Sequence, residues 1–356
     1  MDKTVKKKTF TRIAAAAAFL SLLVLLLFLA QAVLVPKYMS FPYDGALVRE
    51  YYDSVPEHDV VFFGDCEFYE AINPAVIYSE YGIPTYVRGS SQQLIWDSYY
   101  FLLETLEYEK PKVVVFNAVE MKIGSVQREE YTRLTLDGMR LSKYKLAAAK
   151  LSLTEDENIM SYVFPILRYH GRWSSLTSED FRYAFKRDTV GYNGYMFMSG
   201  IKAKTSTALP PPLISPDLPD ICWEYLELMR KTCEDNGIEF VIFKAPTDTW
   251  HYPWYDEWDA QLVDYSEKHG VKYLNAIALA DEIGTDWSTD SYDGGDHLNY
   301  IGAEKISVFL GKVLKEAYGL EDRRGDADFA AASEWKNVVG RYLSAKAEAE
   351  KTQNKD

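Results

Sequence analysis

Two short stretches, far apart in the chain, hold the side chains whose types could do chemistry. One is Val60-Val61-Phe62-Phe63-Gly64-Asp65-Cys66-Glu67, an apolar run broken by Gly-Asp and followed by a nucleophile-capable thiol. The other is Asp293-Gly294-Gly295-Asp296-His297-Leu298-Asn299, which carries the most conspicuous of the five histidines. A strand that stops at a glycine and hands over to a helix places the next side chain at the carboxyl edge of a sheet. The first helical turn there offers free N–H groups and the positive end of a dipole, which push a thiol toward thiolate. Cys66 is therefore the candidate nucleophile and His297 the candidate base, a pairing defined by role and not by chain order. For Cys66 the competing reading is a buried structural thiol. For His297 it is packing against Tyr and Trp at a helix start.

The elements that must position these residues alternate. Apolar runs at 58–63, 83–88, 112–116, 238–243 and 271–274 read as strands. Helices are expected at 74–81, where Asn73-Pro74 is a start signal, and at 94–109, 220–236, 257–269 and 302–317. The Val-rich runs are continuous rather than alternating, as in buried parallel strands. This predicts an α/β three-layer sandwich with a mostly parallel sheet and right-handed crossovers. Sites in such sheets lie beyond the carboxyl ends of the strands. Cys66, Gly89 and Asn117 each fall just past one of those ends.

These residues carry a resemblance. Gly64-Asp65-Cys66 resembles the first block of the SGNH (GDSL) hydrolase superfamily, with Cys where that family usually has Ser. Gly89, in Val87-Arg88-Gly89-Ser90-Ser91, stands where the second-block glycine is expected. Asn117 ends Lys112-Val113-Val114-Val115-Phe116 as the third-block asparagine does, and His297 resembles the last block. The resemblance spans roughly residues 58–320 and is nearest to the membrane-anchored, DltD-like branch of Gram-positive bacteria. Leu94-Ile95-Trp96-Asp97-Ser98-Tyr99-Tyr100 and His297-Leu298-Asn299-Tyr300-Ile301-Gly302-Ala303 link it to that branch. It implies an SGNH/flavodoxin-like fold and an oxyanion site made by the Gly89 N–H and the Asn117 amide. Turn and cap roles are the competing readings for those two. In place of the usual Asp-x-x-His the chain has Asp293-x-x-x-His297, with Gly294 at the expected Asp position. Asp293 is the candidate to orient His297 and Asp296 its substitute; Tyr-Asp-Gly-Gly is also an ordinary turn sequence.

Composition bounds the rest. A chain of 356 residues, 47% hydrophobic, fits one large α/β domain with an insertion. Its net charge is −14, although the first twelve residues carry +4. That acidity, with no basic-aromatic alternation, argues against nucleic acid. Residues 1–12 read as a cytoplasmic basic tail and 13–35 as a transmembrane signal anchor, with the catalytic domain outside the cell membrane. A cleaved signal peptide is the rival, since Ala30-Gln31-Ala32 imitates a cleavage site. Residues 36–57 read as a connector, 58–117 and 216–320 as the α/β domain, and 321–356 as an exposed C-terminal helix and tail. Residues 118–215 read as a mainly helical insertion, a lid or partner-facing subdomain rather than part of the core. Arg88, Arg168, His170 and Arg172 are candidates to hold an anionic polymer. Cys222 and Cys233 fall on one helix about 16 Å apart, beyond disulfide reach. Five scattered histidines give no ligand spacing, so no metal or cofactor is expected.

The resemblance implies an extracytoplasmic O-acyltransferase or esterase. Its partner would be a cell-envelope polymer or acylated carrier, with a membrane-bound O-acyltransferase as a possible companion that delivers the acyl group. The alternative is a non-catalytic relative that binds envelope polymer or a membrane partner through the same cleft.

Overall fold

The computed structural model describes residues 3–36, 44–55, 57–186, 189–204, 215–247 and 254–353. Residues 37–43 and 56 of the connector, Pro210–Pro212 and His251 lie outside that set. Five parallel strands form one sheet: β1 Val60–Gly64, β2 Thr85–Gly89, β3 Val113–Asn117, β4 Glu239–Lys244 and β5 Lys272–Asn275. Their order, β2-β1-β3-β4-β5, is the flavodoxin-like one. Both faces are covered, which is why the strands are apolar without alternation: Val60, Val61, Phe62 and Phe63 are all fully buried.

Consecutive strand residues enter opposite layers. Val61, Phe63, Val114 and Phe116 pack beneath α5 Ile95–Thr105, α11 Asp220–Asn236 and α12 Tyr255–His269. Val60, Phe62, Val113 and Val115 pack beneath α3 Cys66–Ala71, α4 Pro74–Tyr81 and α14 Tyr300–Tyr318. The Asn73-Pro74 signal works as expected. Asn73 Oδ1 accepts from the N–H groups of Ala75 and Val76, and Pro74 occupies the first turn, where no partner for its missing N–H is needed.

Ahead of the sheet, α1 Lys3–Leu34 contains one stretch, Lys8–Leu34, long and apolar enough to cross a membrane. It is followed by α2 Asp44–Glu50. The insertion holds α6 Glu129–Leu136, α7 Lys143–Ser152, α8 Met160–Val163, α9 Ile166–Tyr169 and α10 Ser178–Phe185. It does join the core, contrary to the expectation of a detachable subdomain. Leu136, Met139, Ala148, Ala149 and Tyr162 are buried in the same cluster as β1 and β3. The Trp96 indole donates to Ser152 Oγ at 2.7 Å.

The chain closes with α13 Ala280–Ile283 and α15 Ala332–Gln353. The terminal helix is docked and not exposed along its length. Trp335, Val338 and Tyr342, spaced i, i+3, i+7, are at most 2% exposed, and Trp335 stacks on Tyr78 with ring centroids 4.5 Å apart. The surrounding Ala, Lys and Glu hide that stripe in the composition.

Candidate functional site

The turn after β1 is built by close approach. A Cβ on Gly64 would lie 2.6 Å from the Asn117 Cβ and 2.8 Å from the Phe68 ring, where β1, β3 and α3 converge. Its neighbour in register, Gly89, has no room either: a Cβ there would lie 2.5 Å from Gly64 O. Asp65 then caps α3, its Oδ1 accepting the Glu67 N–H at 3.0 Å, and Cys66 is the first helical residue. The gap between β1 and β3 is where strand order switches direction in this topology, the expected place for a site.

His297 arrives from a loop folded around Ser291. The Ser291 Oγ accepts from the N–H groups of Asp293, Gly294 and Gly295 at 3.3, 3.1 and 2.7 Å. Gly294 and Gly295 have φ of +101° and +109°, a left-handed path that side chains disfavour. Those two glycines accommodate the extra residue of Asp-x-x-x-His. Asp293 Oδ1 accepts from the Asp296 and His297 N–H groups at 3.1 and 3.0 Å. Its Oδ2 lies 2.7 Å from His297 Nδ1, and His297 Nε2 lies 3.1 Å from Cys66 Sγ. Asp293, not Asp296, is thus the carboxylate on the ring; Asp296 contributes a backbone N–H. With Nδ1–H directed at Asp293, Nε2 faces the sulfur and can take its proton.

The electrostatics depart from the sequence expectation of a thiolate. Burial pushes the Cys66 thiol up to about 12, Asp65 adds to the rise, and His297 only partly opposes it. The helix end that would have favoured the anion is already capped by the Asp65 carboxylate, itself raised to about 6, chiefly by burial. For His297, burial disfavours the imidazolium, but the Cys66 sulfur, Asp293 and Glu70 outweigh it and hold the ring above its ordinary range. Burial also opposes the Asp293 charge, and the His297 ring and N–H overcome this, keeping the carboxyl below its usual range. Burial thus favours the neutral thiol, while Asp293 and Glu70 favour positive charge on the ring beside it.

Three further groups belong to this site and were missed by sequence reasoning. Glu70, 2% exposed, accepts from the Tyr292 hydroxyl at 2.8 Å and lies 4.0 Å from His297 Nδ1. The Tyr292 ring stacks on the imidazole at 6.1 Å. Lys244 at the end of β4 is fully buried and donates to Glu67 Oε2 at 2.6 Å and to Ala245 O at 2.7 Å. Glu70 had a legible signal, since it stands four residues after Cys66 and so one turn away on the same helix face.

By sequence the chain matches no protein-family model and no curated protein. By structure it is similar to a number of solved chains, among them two from Bacteroides. One is assigned as an acylhydrolase from Bacteroides fragilis, 11% identical, covering 79% of this chain and 99% of that one at a TM-score of 0.38. The other is described as a GDSL-like lipase from Bacteroides thetaiotaomicron, also 11% identical, covering 77% and 99% at 0.36.

The remaining sequence candidates divide. Asn117 is fully buried at the end of β3, with its Nδ2 donating to Asp65 Oδ1 at 2.9 Å, so one amide hydrogen is committed to the cap. Gly89 holds its place at the end of β2. Arg88 is a core residue and offers no surface to a polymer: it is 2% exposed, bonded to Glu104 at 2.8 Å and stacked on Tyr51. Arg172 donates to Leu34 O at 2.6 Å and to Asp180 at 2.8 Å. Arg168 pairs with Glu129 at 2.5 Å, and His170 Nδ1 lies 3.0 Å from Leu167 O. All these partners of Arg168, His170 and Arg172 lie in the insertion or at the end of α1.

Those helices dock on α1, α2 and α5: α6 packs on α2, α7 on α5, and α9 and α10 on α1. The return of the segment borders the site instead: Met196 N donates to Tyr69 O at 2.7 Å and Lys202 N to Ser291 O at 2.8 Å.

Proposed function

We propose that this chain is an extracytoplasmic, membrane-anchored acyl-transfer enzyme, an O-acyltransferase or esterase working on ester-linked groups of a cell-envelope polymer. The observation that carries the reading is the unbroken line from Cys66 Sγ through the two ring nitrogens of His297 to Asp293, at 3.1 and 2.7 Å. Each member comes from a different role: a sheet-edge thiol, a base, and a carboxylate that fixes the tautomer.

In the proposed reaction Cys66 Sγ attacks the acyl carbonyl as its proton passes to His297 Nε2. Asp293 stabilises the imidazolium that forms. The Gly89 N–H and the Asn117 amide are the proposed donors to the developing alkoxide, with Asn117 turning a hydrogen from Asp65 toward it or using its second one. The alkoxide then collapses, the carbon–oxygen bond to the leaving group breaks, and His297 returns the proton to that oxygen. A thioester on Cys66 is left. An acceptor hydroxyl, from a sugar, a polyol or water, gives its proton to His297 and attacks the thioester, releasing the sulfur. Sugar or polyol acceptors make the enzyme a transferase; water makes it an esterase. A membrane-bound O-acyltransferase is the proposed source of the acyl group.

Raising of the partly buried thiol to about 12 favours a second reading, a binding protein whose Cys66 does not react. Esterase assays on small acyl esters separate the two. The transfer reading expects Cys66→Ser to retain activity, since the hydroxyl can use the same base, and expects His297→Ala to lower it by about 10²–10⁴-fold. Folded Cys and Ser forms that are both inert would favour the binding reading.

A further inference from the structure

We infer that the α8–α10 segment is a membrane-seated foot, with Phe164, Leu167, Trp173 and Phe181 inserted at the boundary between lipid headgroups and acyl chains. The inference requires that α1 lies in a bilayer and does not depend on the chemistry at Cys66.

Depth is fixed by α1. The apolar run from Ile13 fills the roughly 30 Å of hydrocarbon in about twenty residues at 1.5 Å each, which ends the hydrocarbon near Ala32. On either side of that point the helix bonds to the segment. Gln31 Oε1 accepts from Ile166 N at 3.4 Å, and Leu34 O accepts from Arg172 Nη1 at 2.6 Å. From Phe10 to Leu29 the helix is bare, and from Ala30 onward it is partly covered. α9, the turn at 170–174 and α10 are among the elements that touch α1. Anything bonded at this level cannot lie more than a few side-chain lengths from the headgroups.

The side chains there suit that level. Trp173 is 74% exposed, and Leu167, Phe181 and Phe164 are 50–55% exposed, all within eighteen residues of sequence. So many large apolar side chains held in ordered turns would be costly in water. Aromatic residues are the preferred occupants of the membrane interface. Residues 160–186 hold four basic side chains (Arg168, Arg172, Arg182 and Lys186) against two acidic ones, in a chain whose net charge is −14. A cationic, aromatic segment in an acidic protein fits an interfacial lipid contact. The Arg172 bond to the end of α1 then reads as the hinge pin between span and foot.

The test uses the full chain in lipid nanodiscs without any partner protein. Tryptophan emission is compared between wild type and Trp173→Phe, so that the difference reports Trp173 alone. The expected result is that lipids brominated near the headgroup quench this difference about two-fold or more, while aqueous acrylamide quenches it weakly. A Trp173 signal open to acrylamide and untouched by brominated lipid would overturn the foot. As a second variant, Leu167→Ser with Phe181→Ser should raise acrylamide access to Trp173, and unchanged access would count against the inference. Failure of the folded chain to enter nanodiscs would overturn both the foot and the anchor, and would leave the Cys66 reading untouched.

Discussion

Lys244–Glu67 and Arg168–Glu129 are ion pairs of nearly the same length, 2.6 and 2.5 Å, set in opposite surroundings. The first lies under the site, with the two side chains 0% and 8% exposed; the second sits on the insertion, with 50% and 27%. In water the charges of the second pair are screened and its loss is worth about 1 kcal/mol or less. In the interior, deleting one partner strands the other without solvent, and the penalty is several-fold larger. The same contrast runs through both regions. Beneath Cys66, Lys244, Glu67, Asp65 and Asn117 are all buried and bonded in a chain to one another. On the surface of the insertion Arg168 and Arg182 find local carboxylates, although Arg133 is buried with Asp137. The two pairs therefore separate a buried polar network under the candidate site from exposed ion pairs on the insertion.

Loss of the nucleophile should have the largest effect. Cys66→Ala should abolish acyl transfer with the fold intact, and His297→Ala should lower it by about 10²–10⁴-fold, measured as turnover of small acyl esters. Activity in the Ala variant above that of buffer would remove the site from the account.

Lys244→Met sharpens the comparison directly. It should cost about 3–5 kcal/mol in chemical denaturation, because buried Glu67 loses the cation hydrogen-bonded to it. Arg168→Ala should cost about 1 kcal/mol or less by the same measurement. Equal costs would show that burial does not separate the two regions.

The raised thiol gives a pH prediction. The neutral form of Cys66 dominates below its pKa, so the thiolate fraction grows as pH rises. Alkylation of Cys66 by iodoacetamide should accordingly climb about tenfold per pH unit between roughly pH 7 and 10. A rate already flat across that window would mean a standing thiolate–imidazolium pair. Cys222 and Cys233, both fully buried in the core, should be labelled after Cys66 at every pH.

Smaller still is Asp296→Asn. Asp296 supplies the site with a backbone N–H, whereas the Asp293 carboxylate holds the ring. Asp293→Asn should therefore cut ester turnover far more than Asp296→Asn does. The reverse order would return the choice between them to Asp296.

Much of this was legible because the sheet writes itself in apolar runs. Five strands, their helices, and Cys66, Gly89 and Asn117 at strand ends follow from periodicity and punctuation alone. The positions that misled share a cause: their partners are distant in sequence. Asp65 capping α3 could not be seen to raise the thiol instead of leaving the helix end open. Arg88 looks like a site residue until Glu104 and Tyr51 close around it. Lys244 gives no sign within its strand that Glu67 lies opposite. The α15 stripe was visible at i, i+3, i+7, yet the surrounding Ala, Lys and Glu dominate any average over that helix.

The most direct test of the central claim is the intact mass of the full chain after brief exposure to an activated acyl ester such as p-nitrophenyl acetate. The account predicts one added acyl group, mapped to Cys66 by peptide sequencing, labile to hydroxylamine, and missing from Cys66→Ala. An unmodified Cys66 in the folded protein, or acylation that persists unchanged in Cys66→Ala, would contradict it.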